Sequence, residues 1–428
     1  MGILRRRQDA ARRGANKVRA TRPAVLVIVQ NMSVPLDRRV WQECHALRDA
    51  GYAVSVICPR GSGQRPRQVV EGVQIHTYRP APGTTGTLSY LVEFAYCWLR
   101  TALLSLKVWR RERFDVIQDC NPPDTYFLLA RLYQALGVKF VFDQHDLCPE
   151  VYSSRFARSG GLARRALLTL ERATYRTADH VISTNESYRA IAMARGCVAR
   201  SDVTVVRSGP DPELMRPGQP VPELRGGRQH LCCWLGIMGP QDGVDLLLRS
   251  IAALVHEHGR DDCSFALLGY GDCLDDLRRL STDLGLDPWV TFTGPAGPEM
   301  ISDYLSTADI GLSADPSSPL NDVSTMNKTM EYMAFGLPVV AYDLKETRVS
   351  AEDAAVYVEP NEPVGYAKAI SDLLDSPGER ARLGRIGRAR VEGPLSWHRQ
   401  VPGYVAAFDR VLGRSARIPT DRTAGAQP

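Results

Sequence analysis

The sequence has little of what marks an exported, metal-binding or nucleic-acid-binding chain. Its first two dozen residues are rich in arginine, but no apolar core follows them, so they do not form a secretory signal. The 10 cysteines include no C-x-x-C pair and no metal-ligand spacing, so we expect reduced thiols in a cytoplasmic protein. The formal net charge of +5 is small and partly N-terminal, which argues against a nucleic-acid-binding surface.

The sequence also lacks an uncharged apolar run long enough for a membrane span. Its most apolar stretch, Leu88 to Trp109, carries three charged residues, which leave no uncharged core of roughly 18 residues. Two interpretations stay open: a buried helix, or a helix lying in a membrane surface with Trp98 and Trp109 at headgroup level, which predicts a peripheral membrane contact. The cations that would then lie beyond them are Lys107, Arg110, Arg111 and Arg113.

From residue 23 onward, short apolar runs alternate with segments of helical spacing, which predicts parallel strands covered by helices. The runs of the first half are Ala24–Val29, Ala53–Cys58, Val73–Tyr78, Phe114–Gln118, Val138–Asp143, His180–Ser183 and Val203–Val206. A stretch dense in Pro and Gly then predicts a linker. The runs that follow it are His230–Leu235, Ser264–Gly269, Val290–Thr293, Ile310–Ser313, Pro338–Tyr342 and Ala355–Val358.

This pattern predicts an α/β protein of two doubly wound domains that face a cleft, since 428 residues exceed what one core usually supports. We expect a last helix that crosses back to the first domain. The predicted segments are a disordered basic arm (1–22), an N-terminal domain (23–208), a linker (209–228), a C-terminal domain (229–395), a terminal helix (396–413) and a disordered tail (414–428).

The stretch from Met326 to Val340 predicts a helix that stops at Gly336 and is followed by a strand. A helix that begins near Asn327 presents unpaired backbone N–H groups, which can hold a diphosphate to which Lys328 adds a full charge. Glu331 lies one turn further and can accept both hydroxyl protons of a ribose. On this stretch alone, an amphipathic helix with solvated Lys and Glu stays open.

The segment Glu331 to Val340 resembles the E-A-M-A-x-G-x-P-V-V signature of glycosyltransferase family 4. Other segments resemble the family in the expected order: Val205 to Asp211, Leu267 to Gly271, Val290 to Gly294, and Ala308 to Ser313. The resemblance implies the GT-B fold of two Rossmann-like domains, a nucleotide diphosphate sugar as donor, retention of anomeric configuration and no bound metal.

The resemblance also implies roles for individual residues. Glu331 is expected to bind the ribose of a donor held by the second domain. His145, at the end of a first-domain strand, is expected to contact the transferred sugar, with the acceptor on that domain. Further donor contacts are expected at Asn327, Arg207, Gly239, Gly269, Gly271 and Gly294.

Two departures from the family pattern concern the donor side. Where the family often has a second glutamate, this chain has Val323, and we expect Asn321 and Asp322 to contact the donor sugar instead. Where the family commonly has a Lys after the first donor-domain strand, this chain has Asp242. The diphosphate charge then depends on Lys328, backbone donors and Arg207.

A third departure concerns the acceptor side, where polar residues replace the glycine pair usual in the first strand–helix loop. An acceptor contact and a surface salt bridge both stay open for them. The predicted acceptor-side residues are Asp37, Arg38, Arg39, Asp146 and Glu150.

For the reaction, we expect Lys328 and the helix N-terminus to hold the departing diphosphate, while His145 positions the sugar and does not act as a base. A zinc or manganese site from Asp143, His145, Asp146 and Glu150 is an open alternative. A dehydrogenase is excluded, because no G-x-G-x-x-G follows a strand. A nucleotide-sugar epimerase and an inactive scaffold remain the competing functions.

Overall fold

A computed structural model of the chain describes residues 22–81, 87–156 and 161–414. The described residues form two compact units. Unit 1 consists of residues 22–148, 161–206 and 401–414, and unit 2 consists of residues 149–156 and 207–400. The predicted basic arm lies outside the described residues except for Arg22, and the predicted tail lies outside them except for Arg414.

The first half of the chain alternates strands and helices. In chain order the elements are β1 (Ala24–Val29), α1 (Arg38–Asp49), β2 (Ala53–Pro59), β3 (Arg67–Val70), β4 (Val73–Tyr78), α2 (Thr87–Glu112), β5 (Val116–Cys120), α3 (Phe127–Gln134), β6 (Lys139–Gln144), α4 (Cys148–Arg155), α5 (Gly161–Thr177), β7 (His180–Ser183), α6 (Glu186–Gly196) and β8 (Val203–Val205). These elements belong to unit 1, except that α4 belongs to unit 2 from Pro149 onward.

The strands of unit 1 form one eight-stranded sheet in the order β3-β4-β2-β1-β5-β6-β7-β8. Every pairing is parallel except that of β3 with β4. The central strands are almost wholly buried, as continuous apolar runs covered on both faces should be. β3 was not predicted, because its side chains are only partly buried at the sheet edge and half of them are polar.

The second half of the chain repeats this organisation in unit 2. Its elements are β9 (His230–Ile237), α7 (Val244–Ala252), β10 (Cys263–Tyr270), α8 (Leu274–Asp283), β11 (Val290–Gly294), α9 (Pro298–Thr307), β12 (Ile310–Ser313), α10 (Asn327–Ala334), β13 (Val339–Tyr342), α11 (Lys345–Ala351), β14 (Ala355–Val358), α12 (Pro363–Leu374), α13 (Pro377–Glu392) and α14 (Trp397–Val411). Its six strands are all parallel, in the order β11-β10-β9-β12-β13-β14.

Two parallel sheets, each with helices between its strands, confirm the predicted fold class. The predicted return of the last helix to the first domain is also confirmed, since residues 401–411 of α14 belong to unit 1. There the Tyr404 hydroxyl donates to Gln118 Oε1 at 2.7 Å, and the Tyr52 hydroxyl donates to Asp409 Oδ1 at 2.6 Å. Both tyrosines are buried, so these bonds anchor the end of the chain in the core of unit 1.

The segment predicted as a linker, 209–228, packs on unit 2. Its backbone donates from Gly218 to Ser306 Oγ and from Val221 to Thr307 Oγ1, both at 2.8 Å. Proline and glycine interrupt regular structure in this segment, and side-chain hydroxyls of α9 satisfy its backbone groups instead.

The apolar stretch predicted from Leu88 lies in helix α2. Within residues 22–81, 87–156 and 161–414, none of the helices combines the length and apolar character that a bilayer span requires. Trp98 and Trp109, expected at headgroup level in one interpretation, are instead partly buried against the core of unit 1. The ring of Trp109 packs against Phe114 and Tyr133, with centroids 4.9 and 5.3 Å away.

Candidate functional site

The loops that follow three central strands of unit 2 meet at one edge of its sheet. Gly269, at the end of β10, has a φ of +144°, and a Cβ there would lie 1.8 Å from the carbonyl oxygen of Gly236 in β9. A Cβ on Gly271 would lie 2.5 Å from the carbonyl oxygen of Met238. Only glycine permits such approaches, so the backbone itself forms this edge.

Helix α10 begins at this same edge, as the sequence predicts. It starts at Asn327, directly after a loop that leads from β12, and ends before Gly336, which has a φ of +69°. A Cβ on Gly236 would lie 3.5 Å from Cε of Lys328, which places the first turn of the helix beside the β9 loop. Unpaired N–H groups at a helix start attract anions, and this start lies at the carboxyl ends of parallel strands.

Lys328 lies at this helix start, but it is not an isolated cation. Its Nζ donates to Asp315 Oδ1 at 2.6 Å, lies 3.8 Å from Asp242 Oδ1, and sits 4.8 Å from the ring centroid of Trp234. The ammonium group is buried, which by itself would lower the pKa of Lys328, but Asp315 and Asp242 offset that effect and raise it. The lysine is therefore held charged and fixed in position.

The two carboxylates change the charge balance that the sequence suggested. Burial raises the pKa of Asp242 to about 6, with Lys328 lowering it and Asp315 raising it further. Arg155, from α4, also acts on Asp242 and lies 3.6 Å from Asp272. Sequence reasoning did not identify Asp315 or Arg155, because each is more than a dozen residues from the others and only the fold brings them together.

Other predicted donor residues hold the loops of this edge. Asn321 is buried, and its amide donates to the carbonyl oxygens of Gln241 and Pro316, both at 2.8 Å. Asp322 accepts from the Ser317 hydroxyl at 3.1 Å. The Asn321 amide protons are thus used in positioning the loop that follows β9, which differs from the direct sugar contact expected for this residue.

The remaining predicted donor residues are placed as follows. Glu331 is buried one turn into α10, close enough to Lys328 to influence its pKa. The Gly239 N–H donates to Asp242 Oδ2 at 3.1 Å, and Gly294 ends β11 beside Gly269. Arg207 lies 3.7 Å from the buried carboxylate of Glu346 on α11. This carboxylate offsets part of the positive charge that was expected to face the diphosphate.

The second polar cluster lies in unit 1 and centres on Arg39. The Arg39 guanidinium lies 3.0 Å from Glu43 Oε1 and donates to Asp143 Oδ1 and to His145 Nε2, both at 3.1 Å. It also donates to the carbonyl oxygen of Val206 at 3.0 Å. The side chain of Arg39 is only 10% exposed, so it does not form a surface salt bridge, and its acceptor contact stays a prediction.

The cluster fixes His145 at the end of β6, where the sequence predicts it. His145 Nε2 lies 3.0 Å from Asp143 Oδ2, and its backbone N–H donates to Asn121 Oδ1 at 2.7 Å. Gln118 Nε2 donates to Glu43 Oε2 and to Asp143 Oδ2, both at 2.8 Å. Sequence reasoning missed Glu43, Gln118 and Asn121 as positioning residues, although Glu43 lies one helical turn after Arg39.

The two buried carboxylates of this cluster are ionised to different degrees. Burial would raise the pKa of Asp143, but His145 and Arg39 lower it below its ordinary value. Burial and the neighbouring Asp143 raise the pKa of Glu43 well above its ordinary value. Asp143 is therefore the anion that balances Arg39, while Glu43 tends to hold a proton.

The cluster also contains Asp143 and His145, two residues of the alternative zinc or manganese site. Potential ligand atoms of Glu43, Cys120, Asp143 and His145 lie within 4.8 Å of one another. Arg39 already lies among these groups and supplies their positive charge, so a metal ion would have to displace a buried, multiply bonded guanidinium. Arg39 would therefore compete with a cation for Asp143 and His145, and the absence of a bound metal stays a prediction.

The other predicted acceptor-side residues are less closely grouped. Asp37 is the N-cap of α1 and accepts from the Val40 N–H at 3.1 Å, and Arg38 beside it is exposed. The backbone of Asp146 is held by Asn121, which accepts from its N–H at 3.1 Å. Glu150 is buried in the first turn of α4 and belongs to unit 2.

Comparison with known proteins agrees with this architecture. Residues 36–209 match the model of the glycosyl transferase 4-like domain, and residues 229–376 match that of the glycosyl transferases group 1. A D-inositol 3-phosphate glycosyltransferase of Thermomonospora curvata is 27% identical over 50% of this chain and 54% of its own length. A putative teichuronic acid biosynthesis glycosyltransferase of Bacillus subtilis, TuaH, is 26% identical over 65% of this chain and 68% of its own length.

The fold has a solved counterpart in sucrose-phosphate synthase from Thermosynechococcus elongatus. The two chains superpose with a TM-score of 0.74 at 18% identity, over 92% of this chain and 100% of that one. Two parallel-sheet units of this kind make up the GT-B fold, and the two matched family models are those of glycosyltransferases. The chain belongs to glycosyltransferase family 4, and it spans about half the length of the Thermomonospora relative that it matches.

Proposed function

We propose that this chain transfers a sugar from a nucleoside diphosphate sugar to a hydroxyl acceptor, with retention of anomeric configuration. The observation that carries the proposal is the start of α10, where backbone N–H groups and Lys328 lie beside the glycine edge of the unit 2 sheet. Such a helix start binds diphosphates without further machinery. Glu331, one turn further, is the proposed ribose ligand.

The charge balance of this edge defines what each group does. Asp315 holds the ammonium group of Lys328 in place, and its negative charge offsets part of the lysine's positive charge. Arg155, near Asp242, is the second cation of the edge and the proposed replacement for the basic residue that Asp242 displaces. Charge develops on the diphosphate as it leaves, and each fixed donor aimed at it typically lowers the barrier by ~3 kcal/mol.

The proposed reaction needs no metal and no enzyme nucleophile. The acceptor hydroxyl attacks the sugar on the face of the leaving group, and the departing phosphate takes the hydroxyl proton. His145 is proposed to position the sugar and not to act as a base, since its Nε2 lies within hydrogen-bond distance of both Arg39 and Asp143 and binds one of them. Activity that a strong chelator abolishes, and that added metal restores, would contradict this mechanism.

The proposed acceptor class follows from the relatives. One is named for transfer to D-inositol 3-phosphate and the other for teichuronic acid biosynthesis. We therefore place the acceptor of this chain in polysaccharide, cell-envelope or glycolipid biosynthesis, and the enzyme at the cytoplasmic side where nucleotide sugars are available.

A thermal-shift panel of nucleoside diphosphates and their sugars tests the donor. A ligand at a hundredfold its dissociation constant should stabilise the protein by ~2.7 kcal/mol, which is readily measured. The active nucleotide sugar is then incubated with candidate acceptors. A new glycosidic bond supports the proposal, a returned epimeric nucleotide sugar makes the chain an epimerase, and nucleotide binding to none of the panel contradicts both.

Variants of Lys328 test its role in that assay. Lys328→Ala should reduce turnover by about a hundredfold or more, because it removes a donor to the leaving group. Lys368→Ala is the matched control, since this lysine is exposed on α12 and pairs with the exposed Asp372. The double variant Lys328→Met with Asp315→Asn removes the buried ion pair together and separates folding from catalysis. Near full turnover in either Lys328 variant would overturn the assignment.

A further inference from the structure

Helix α2 presents a leucine stripe to solvent. Its core-facing positions are Cys97, Thr101, Ser105 and Val108, which recur at helical spacing and are all buried. The opposite side carries Leu99, Leu103 and Leu106, which are exposed by 54%, 47% and 39%. An ordinary surface helix places polar residues there, so this helix is apolar on both sides.

Helix α3 and the turn after it carry a second exposed stripe. Leu128, Leu132 and Leu136 recur every four residues and are exposed by 50%, 65% and 63%. The two helices are neighbours, since the hydroxyls of Ser105 and Tyr133 lie 3.0 Å apart. We call the six exposed leucines of the two helices the leucine face. A patch of this kind marks an interaction surface.

Cations lie on the helix that carries half of the leucine face. Five lie on or directly after α2, with three in its last turns and one directly after its end: Arg100, Lys107, Arg110, Arg111 and Arg113. Of the two acids described in the same stretch, Glu112 already pairs with Arg67 at 3.0 Å, which leaves Glu93. The segment 127–137 contains no acid and one arginine. The whole surface therefore combines apolar area with a net positive charge.

We propose that the leucine face docks this protein on the surface of an anionic lipid bilayer. Leucines enter the boundary between headgroups and acyl chains, while the cations at the end of α2 bind anionic headgroups. A second copy of the chain fits the face less well, because two-fold pairing would bring its five cations toward the same five cations of the partner. Since no described helix spans a bilayer, the contact is peripheral.

Vesicle flotation with the full chain tests this proposal. Wild-type protein should bind vesicles that contain phosphatidylglycerol and bind neutral phosphatidylcholine vesicles more weakly. Leu132→Gln with Leu136→Gln should weaken binding about tenfold or more, because both leucines lose their transfer into the bilayer. Arg110→Gln with Arg111→Gln should weaken binding to anionic vesicles about fivefold for each arginine.

The matched control is Leu214→Gln with Val364→Gln, two residues of unit 2 that are exposed by 81% and 50%. It should bind as the wild type does. Because residues 1–21 are also basic, binding that is equal in the leucine variant and the control would overturn the proposal, as would no binding to any vesicle. The proposal would also be overturned if the leucine variant bound vesicles normally and differed from the wild type only in losing a dimer in sedimentation.

The result is independent of the proposed reaction. All variants should keep the nucleotide-induced thermal shift of the wild type, since the leucine face and α10 lie in different units. Loss of that shift in the leucine variant would show a damaged fold, and the Leu99→Gln with Leu103→Gln variant then repeats the test on α2.

Discussion

Asp242 should make donor binding depend on pH. Its carboxylate lies 3.8 Å from Lys328 Nζ at the edge where we place the diphosphate, and burial raises its pKa to about 6. A diphosphate brought to this edge repels the ionised carboxylate, so binding favours the protonated form. Donor affinity should therefore be high below the pKa of Asp242 and fall as the pH rises through about 6.

The size of the effect follows from that pKa. If binding requires a neutral Asp242, about half of the protein is competent near pH 6 and about one hundredth near pH 8, so affinity should fall about fiftyfold between them. Asp315 and Lys328 form the closer pair at 2.6 Å, whereas Asp242 lies 3.8 Å from the ammonium nitrogen. We therefore assign the slope to Asp242, whose pKa of about 6 lies within this range.

Isothermal titration with the nucleotide sugar found in the thermal-shift panel measures this dependence. A nucleotide sugar is the right ligand, because a free nucleoside diphosphate has a terminal phosphate that titrates near the same pH. The variant Asp242→Asn should bind at about pH 8 as tightly as the wild type does at about pH 6, with a flat profile. An unchanged slope in the variant, or a flat profile in the wild type, refutes the charge balance described for this edge.

Two further predictions concern the backbone edge and the Arg39 cluster. Gly269→Ala should destabilise unit 2 by at least ~2 kcal/mol, because a Cβ would meet the carbonyl oxygen of Gly236; a urea midpoint equal to that of the wild type would contradict this. Arg39→Met should destabilise unit 1 by ~3–5 kcal/mol, because it leaves the ionised Asp143 buried without its cation. Unfolding followed by hydrogen exchange of unit 1 amides checks the value, and a loss under ~1 kcal/mol would contradict it.

Much of the fold follows from the sequence, because its strands are buried and apolar on both sides. The predicted runs at β1, β4, β7, β12 and β14 have the bounds that the structure gives them, and the others differ by a few residues at their ends. β3 was missed, since an edge strand needs few apolar side chains. The predicted run from Pro338 to Tyr342 begins one residue too early. The strand starts at Val339, because proline has no N–H to donate to the ladder.

The candidate site was predictable only where one local segment carries it. The start of α10, with Lys328 and Glu331, could be identified because the helix, the glycine stop and the strand are contiguous. Asp315 could not be paired with Lys328, because the loop between them has no periodicity that reveals their contact. The burial of Arg39 could not be predicted, because its sequence neighbours Asp37 and Arg38 are polar and burial is a tertiary property.

The bond from Tyr404 to Gln118 joins the last helix to the residue that bridges Glu43 and Asp143. An N-terminal fragment that stops at Val206 would lack the Tyr404 hydroxyl, so the buried amide oxygen of Gln118 would lose this hydrogen-bond donor. Unit 1 is therefore not a domain that a single cut can release. For expression of unit 1 alone, residues 401–414 should be joined directly after residue 206, because both segments belong to the same hydrogen-bonded core.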